Sequence, residues 1–304
     1  MPELPEVETV ARELRAILPG KRVVSASLTA PDLYRKNSAR IETLAGARMV
    51  EVGRRGKAIV IALEGRDAAN RLVVHLGMTG NLVWSRAAER TTRAHLHARW
   101  RFDDGSELRY FDPRRFGYIF VGDAASVDGT LRIGPDPFQL DAGALAELLR
   151  HRRAPVKALL LAQHLVSGLG NIYVDEALHI ARVHPLTSGD RASRRAEEIL
   201  AAARRVLERA IRARGTTLRD YRRTDGATGE FQLELSVYGR EGEKCRVCGT
   251  TIRRIVVGQR GTHFCPRCQP RPRALRPVRK SAKTPRAGRS RRAAPRRAGY
   301  TRSR

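Results

Sequence analysis

Two cysteine pairs near the C-terminus constrain the fold of this chain more than any other feature. Cys245-Arg-Val-Cys248 and Cys265-Pro-Arg-Cys268 are separated by sixteen residues. Each C-x2-C knuckle offers two sulfurs from one tight turn, and four thiolates at this spacing suit one tetrahedral, structural Zn2+. A closed four-sulfur site has no open position for catalysis. Its expected role is to organise a two-stranded ribbon too small to fold alone. The chain has no other cysteine, and in a reducing cytosol these four read as ligands rather than disulfides. Between the pairs lie Arg253, Arg254, Arg260 and His263. A hairpin carrying them either follows a phosphate backbone or is an ordinary solvated face.

The charge balance also points to a polyanion. Fifty-nine Lys and Arg against 31 Asp and Glu give +28 over 304 residues, which favours nucleic acid over neutral or cationic partners. The stretch from Gln269 to Arg304 has twelve Arg, two Lys and no acid, hence +14. Its Arg, Pro, Ala and Ser leave almost nothing to bury. A disordered tail is expected, binding nucleic acid non-specifically through counterion release or merely aiding solubility. The other 268 residues still carry +14, so the inference survives without the tail. No run approaches 18 apolar residues, so no membrane span is expected. MPELPEVETV lacks the apolar segment of a secretory signal, so a cytoplasmic protein is expected.

Hydrophobic periodicity divides the chain. Leu4, Val7, Val10, Ala11, Leu14, Ile17 and Leu18 recur at helical spacing, with Pro5 in the first turn and Pro19-Gly20 as the stop. Eight β-rich runs follow: 22–28, 49–52, 58–63, 72–76, 82–84, 95–102, 108–111 and 118–121. Their Gly, Asp and Asn punctuation suggests a β-sandwich whose pairing order stays open. After Gly134-Pro135-Asp136-Pro137 the pattern turns helical. Asp141 is a candidate cap for a helix to about Arg150, Pro155 opens one through Leu165, and Asn171 is a candidate cap for a third to about Ile180. Residues 191–214 read as one long helix stopped by Gly215. A polar stretch, 219–230, leads to a strand-like run, 231–238. Lys157 reads as a helix-surface lysine.

The N-terminus carries its own chemistry. A small residue at position 2 permits removal of the initiator Met, leaving Pro2 as a free secondary amine. An α-amino group titrates near 7.7–8.0, well below lysine, and the positive end of a helix dipole disfavours its protonated form. Such an amine can attack a sugar C1′ to give an iminium. Glu3 and Glu6 share that first turn and can move protons. Taken alone, these residues are ordinary for a helix start: Met-Pro beginnings are common, and acids in a first turn are usual dipole partners.

Six collinear motifs change the weighing. MPELPEVETV, HLGMTG (75–80), DPRRFG (112–117), GLGNIYVDEAL (168–178), VYGREGEKCRVCG (237–249) and CPRC occur in this order. The chain closely resembles bacterial formamidopyrimidine-DNA glycosylases over residues 1–269, and its PELPE start matches the oxidised-purine branch rather than the PEGPE of the endonuclease VIII branch. The resemblance implies an α+β multidomain fold. Its parts are an N-terminal β-sandwich with a catalytic helix (1–131), a helix–two-turn–helix DNA-binding domain (132–230), a C-terminal zinc ribbon (231–269) and, outside the family pattern, a basic tail (270–304). It implies a monomeric, nucleoid-associated enzyme acting on double-stranded DNA that contains oxidised bases.

Carried over by position, the resemblance implies Pro2 as Schiff-base nucleophile, Glu3 as proton-transfer carboxylate and Glu6 as supporting acid. Lys57 matches the lysine of β-elimination and Arg260 the arginine of δ-elimination. An enzyme that reaches C1′ must turn the nucleotide out of the stack. Met78 would fill the gap, Phe116 would wedge between base pairs and Arg114 would bond the orphaned cytosine. His75, His95, Arg152 and Asn171 match phosphate contacts, and 219–230 matches a mobile loop over the extruded purine. Two other functions compete: an oxidised-pyrimidine glycosylase of the endonuclease VIII type, and a non-catalytic zinc-ribbon DNA-binding protein.

Overall fold

The computed structural model describes residues 1–65, 70–87, 91, 93–218 and 220–272. The basic tail from residue 273 and Arg219 lie outside the described residues. The first helix, α1 (Leu4–Arg15), follows the expected stripe, burying Leu4, Val7, Val10, Ala11 and Leu14. Eight strands follow: β1 (Val23–Leu28), β2 (Arg48–Arg55), β3 (Ala58–Glu64), β4 (Arg71–His75), β5 (Asn81–Ser85), β6 (Leu96–Phe102), β7 (Glu107–Phe111) and β8 (Tyr118–Gly122). They form two antiparallel four-stranded sheets, ordered β1-β6-β7-β5 and β2-β3-β4-β8. Trp100, Leu108 and Tyr110 of one sheet and Ile59, Ile61 and Val74 of the other share one core with α1. This is the sandwich that the alternating runs imply.

α2 (Ala124–Leu131) is a helix that the periodicity does not signal. Asp123 caps it, accepting from Ser126 N at 2.7 Å, and Val127 packs on Val73 and Phe120. Gly129 and Thr130 weaken its local helical signal.

The helical domain holds α3 (Ala142–Leu149), α4 (Val156–Leu161), α5 (Asn171–Ile180), α6 (Gly189–Ala192) and α7 (Ala196–Arg212). Asp141 caps α3 as expected, accepting from Ala144 N at 2.7 Å. Three expectations need correction. α4 stops at Leu161 rather than Leu165. The cap of α5 is Gly170, which makes Asn171 its first residue. The expected helix over 191–214 is broken, because a 3-10 turn at Ser193–Arg195 separates α6 from α7. The stop at Gly215 holds, with φ +86°.

The run 231–238 is not a strand. It opens as a 3-10 turn, Phe231–Glu234. The N–H groups of Ser236, Val237 and Tyr238 donate to the Glu176 carboxylate of α5, each at 2.9 Å. Donors taken up by a side chain are not available to a ladder. The ribbon itself is the antiparallel pair β9 (Arg253–Val257) and β10 (Arg260–Phe264).

α1 joins the two domains. Leu4 belongs to the helical domain's core, whereas Val7 through Leu14 belong to the sandwich. Arg54 of β2 reinforces the junction, reaching Glu8 of α1 at 3.0 Å and Asp136 of the interdomain linker at 2.7 Å. Among the described residues no helix is long and apolar enough to cross a membrane.

Candidate active site

Glu3 and Glu6 are almost fully buried where α1 meets α5. Glu6 Oε2 accepts from Glu3 N at 2.8 Å, and Oε1 accepts from Thr216 N at 2.7 Å and from the Tyr173 hydroxyl. Both oxygens of Glu6 are thus committed to structure. Burial, helped by the negative charge of Glu3, pushes its carboxyl up to about 7. Glu3 differs. Its Oε1 accepts from Ile172 N at 3.2 Å, at the positive end of the α5 dipole. Its Oε2 is buried with no partner. Burial raises this carboxyl too, against the opposing charge of Lys57. A Cβ on Gly170 would stand 2.2 Å from the Glu3 carboxyl carbon, so only glycine admits this approach.

Lys57 occupies the tight turn between β2 and β3, beside Gly56 (φ +55°). Desolvation lowers its ammonium, while Glu3 and Glu6 support the charge and Arg260 opposes it. Arg260, the first residue of β10, is thus within electrostatic reach of Lys57. Met1 is half exposed and lines a cavity of about 350 Å³ with Met78, Arg114, Tyr221 and Tyr238. Pro2 is buried directly behind it.

Two loops present Met78, Arg114 and Phe116 together. Asp112, fully buried, accepts from Thr79 Oγ1 at 2.5 Å, from Gly117 N at 2.9 Å and from the Tyr110 hydroxyl at 3.2 Å. One carboxylate therefore ties the 75–80 loop to the 112–117 loop. Gly77 (φ +60°) makes the crossing possible, since a Cβ there would lie 2.4 Å from Gly117 N. Phe116 stands 59% exposed, a large apolar ring held in solvent, with the Arg114 guanidinium 5.3 Å from its centroid.

The four cysteine Sγ atoms lie within 4.8 Å of one another. Cys245–Cys268, Cys248–Cys265 and Cys248–Cys268 are 3.9, 3.4 and 3.5 Å apart. A ZnS4 tetrahedron with Zn–S of about 2.3 Å has edges of about 3.8 Å. The donor set fits one structural zinc ion.

Family models match in the same order as these parts. The formamidopyrimidine-DNA glycosylase N-terminal domain matches residues 1–119, the H2TH domain of the same enzymes residues 133–222, and a zinc finger found in FPG and IleRS residues 242–271. The formamidopyrimidine-DNA glycosylase of Symbiobacterium thermophilum is 43% identical over 283 residues, 90% of this chain and 91% of its own. That of Chloroflexus aurantiacus is 42% identical over 275 residues, 88% and 98% of the two chains. The chain belongs to the formamidopyrimidine-DNA glycosylase family. Among solved structures, a Lactococcus lactis FPG mutant bound to Fapy-dG-containing DNA superposes with TM-score 0.80 at 35% identity, over 89% of this chain and all of that one. MutM bound to carbocyclic 8-oxo-G DNA gives 0.79 at 35%, with the same coverage.

The remaining glycosylase-family candidates are spread more widely. His75 ends β4, stacked on Tyr118 at 4.9 Å, and its Nδ1 accepts from Gly77 N at 3.1 Å. Burial and the Lys57 and Arg35 charges push its imidazole down to about 4, so it is a neutral Nε2–H donor. His95 is exposed at φ +66°, its carbonyl bonded to Asp112 N, beside the Arg114 loop. His97 Nε2 donates to the Asp112 carbonyl, 3.0 Å away. Asn171 Nδ2 donates to Gly261 O at 3.0 Å, next to Arg260. The Ile172 N–H beside it is taken by Glu3, so the anion held at this helix start is a carboxylate of the chain itself. Arg152 stands apart, exposed at the α3–α4 turn and bonded to Leu148 O.

Lys157 is not on a surface. It is fully buried, donating to Asp175 Oδ1 at 2.7 Å and to Gly261 O at 3.1 Å. The ribbon covers the face of α4 that a helical wheel alone leaves open. Tyr173, Thr216, Tyr221 and Asp112 are site-forming residues that sequence reasoning missed. Tyr173 and Asp112 sit inside motifs it had singled out.

Proposed function

We infer that this chain is a base-excision DNA glycosylase for oxidised purines in duplex DNA, with an associated lyase activity at the resulting abasic site. The observation that carries the reading is Glu3 Oε2: a buried carboxylate oxygen with no partner, next to Pro2 in the chain and within electrostatic reach of Lys57. A structural acid would have its oxygens satisfied, as Glu6 does. Removal of Met1, which lines the cavity, would free the Pro2 amine next to it. The family membership and the DNA complexes of the neighbouring structures support the same substrate class.

In this reading the Pro2 nitrogen attacks C1′ and the damaged base departs with the glycosidic electron pair. The nitrogen then loses its proton, and the C1′–O4′ bond breaks as O4′ takes up a proton, leaving an open-chain iminium. Glu3, whose carboxyl is pushed upward by burial, moves protons at the sugar. Loss of a C2′ proton then expels the 3′ phosphate, and a second elimination expels the 5′ phosphate, with Lys57 and Arg260 gripping the departing anions. Met78, Arg114 and Phe116 occupy the space left in the duplex. His75, His95, Arg152 and Asn171 contact phosphates. Cys245, Cys248, Cys265 and Cys268 would hold a structural zinc ion that closes the ribbon and thereby places Arg260. Residues 1–131 are read as the catalytic domain, 132–230 as the DNA-binding domain, 231–269 as the ribbon and 270–304 as the tail. We place the monomeric enzyme in the bacterial cytoplasm, at the nucleoid.

Excision kinetics test the substrate class. Duplexes with 8-oxoguanine opposite cytosine should be processed, and thymine glycol duplexes should react at least about tenfold more slowly. The reverse order would assign the chain to oxidised pyrimidines.

A further inference from the structure

Glu13, on the third turn of α1, is committed to the segment that walls the cavity. Its Oε1 accepts from Arg223 Nε at 2.6 Å, and its Oε2 accepts from Thr224 N at 2.9 Å and Thr224 Oγ1 at 2.7 Å. Both side chains of the ion pair are largely hidden, 19% exposed for Glu13 and 15% for Arg223. An exposed pair would be worth little, whereas several charge-assisted bonds on one shielded carboxylate fix a geometry.

The fixed segment runs along the edge of a sheet. β5 is the last strand in its order, and its Trp84 N donates to Thr224 O at 3.2 Å. Arg222 N donates to the buried Asn81 Oδ1 at 3.2 Å, one strand length away. The next residue back, Tyr221, lines the cavity with Asp220 and Leu218. Glu13 itself does not line the cavity. Its carboxylate therefore sets where the cavity wall stands without touching anything inside.

We propose that Glu13 is a positioning residue for base excision, fastening residues 220–224 as one wall of the cavity through Arg223 and Thr224. The proposal rests on the glycosylase activity proposed above, and it takes the part of the cavity walled by Leu218, Asp220 and Tyr221 as the place where the extruded base is held. It has a specific consequence. Base release needs the wall, because the base must be held while its bond to C1′ breaks. Strand cleavage at a preformed abasic site needs no base and hence no wall.

The experiment compares the two reactions in the zinc-loaded, full-length chain under single-turnover conditions. Glu13→Ala should lower 8-oxoguanine release about tenfold while leaving cleavage of a preformed abasic site within about twofold of the wild-type rate. Glu13→Gln keeps an acceptor for Thr224 but loses the charge facing Arg223, so it should restore part of the lost release. Unchanged release in Glu13→Ala, or an equal loss of both reactions, overturns the positioning role. A wild-type chain that releases no oxidised purine overturns the base-site reading, and this proposal with it.

Discussion

At the scale of single residues, the two acids of the first helical turn have opposite assignments. Glu6 is saturated with donors and Glu3 keeps one oxygen free. Both are pushed upward by burial, Glu6 to about 7 from 4.5. Between those values the folded chain holds a proton that the unfolded chain has released, so this group makes stability fall as pH rises from 4.5 to 7. The full effect is about 3 kcal/mol, and Glu3 adds a slope of the same sign. Glu6→Gln should flatten the decline: denaturant unfolding at about pH 5 and about pH 8 should differ less in the variant than in the wild type. Equal pH dependence of both proteins would contradict the burial assignment. The sequence carried the residue types here but not the distinction between them, because which oxygen is satisfied depends on Tyr173 and Thr216, far along the chain.

At the scale of elements, the 75–80 and 112–117 loops act as one unit because Asp112 holds them both. Removing a buried acceptor strands its donors, at a cost of about 3 kcal/mol. Asp112→Ala should weaken binding to a lesion duplex about tenfold, with affinity for undamaged duplex nearly kept. Fluorescence anisotropy on the two duplexes measures this, and equal weakening of both would contradict a role in placing Met78, Arg114 and Phe116. The elements also mark where a sequence is readable. The helix at Leu4 and the eight strands are set by local periodicity and turn residues, and they appear where expected. The 231–238 run alternates like a strand, but Glu176 takes its N–H groups. Lys157 looks like a surface lysine, but the ribbon buries it against Asp175. Neither fact is local, so neither is visible to a reading by window.

For the whole molecule, the charge distribution points to two kinds of DNA binding. In the proposed function the cavity and its loops read the lesion, and the +14 stretch beyond Cys268 is expected to add binding that ignores sequence. Deleting residues 270–304 should make the plot of log K against log salt shallower, by about 0.9 for each phosphate that the tail neutralises. An unchanged slope would mean that the tail does not touch DNA. The chemistry itself is tested most directly by borohydride reduction during turnover of an 8-oxoguanine:cytosine duplex, followed by mass spectrometry of the linked peptide. The expected product is a deoxyribose adduct on the nitrogen of Pro2, in a peptide without Met1. An adduct on a lysine such as Lys57, or full cleavage by a chain that still carries Met1, would contradict it.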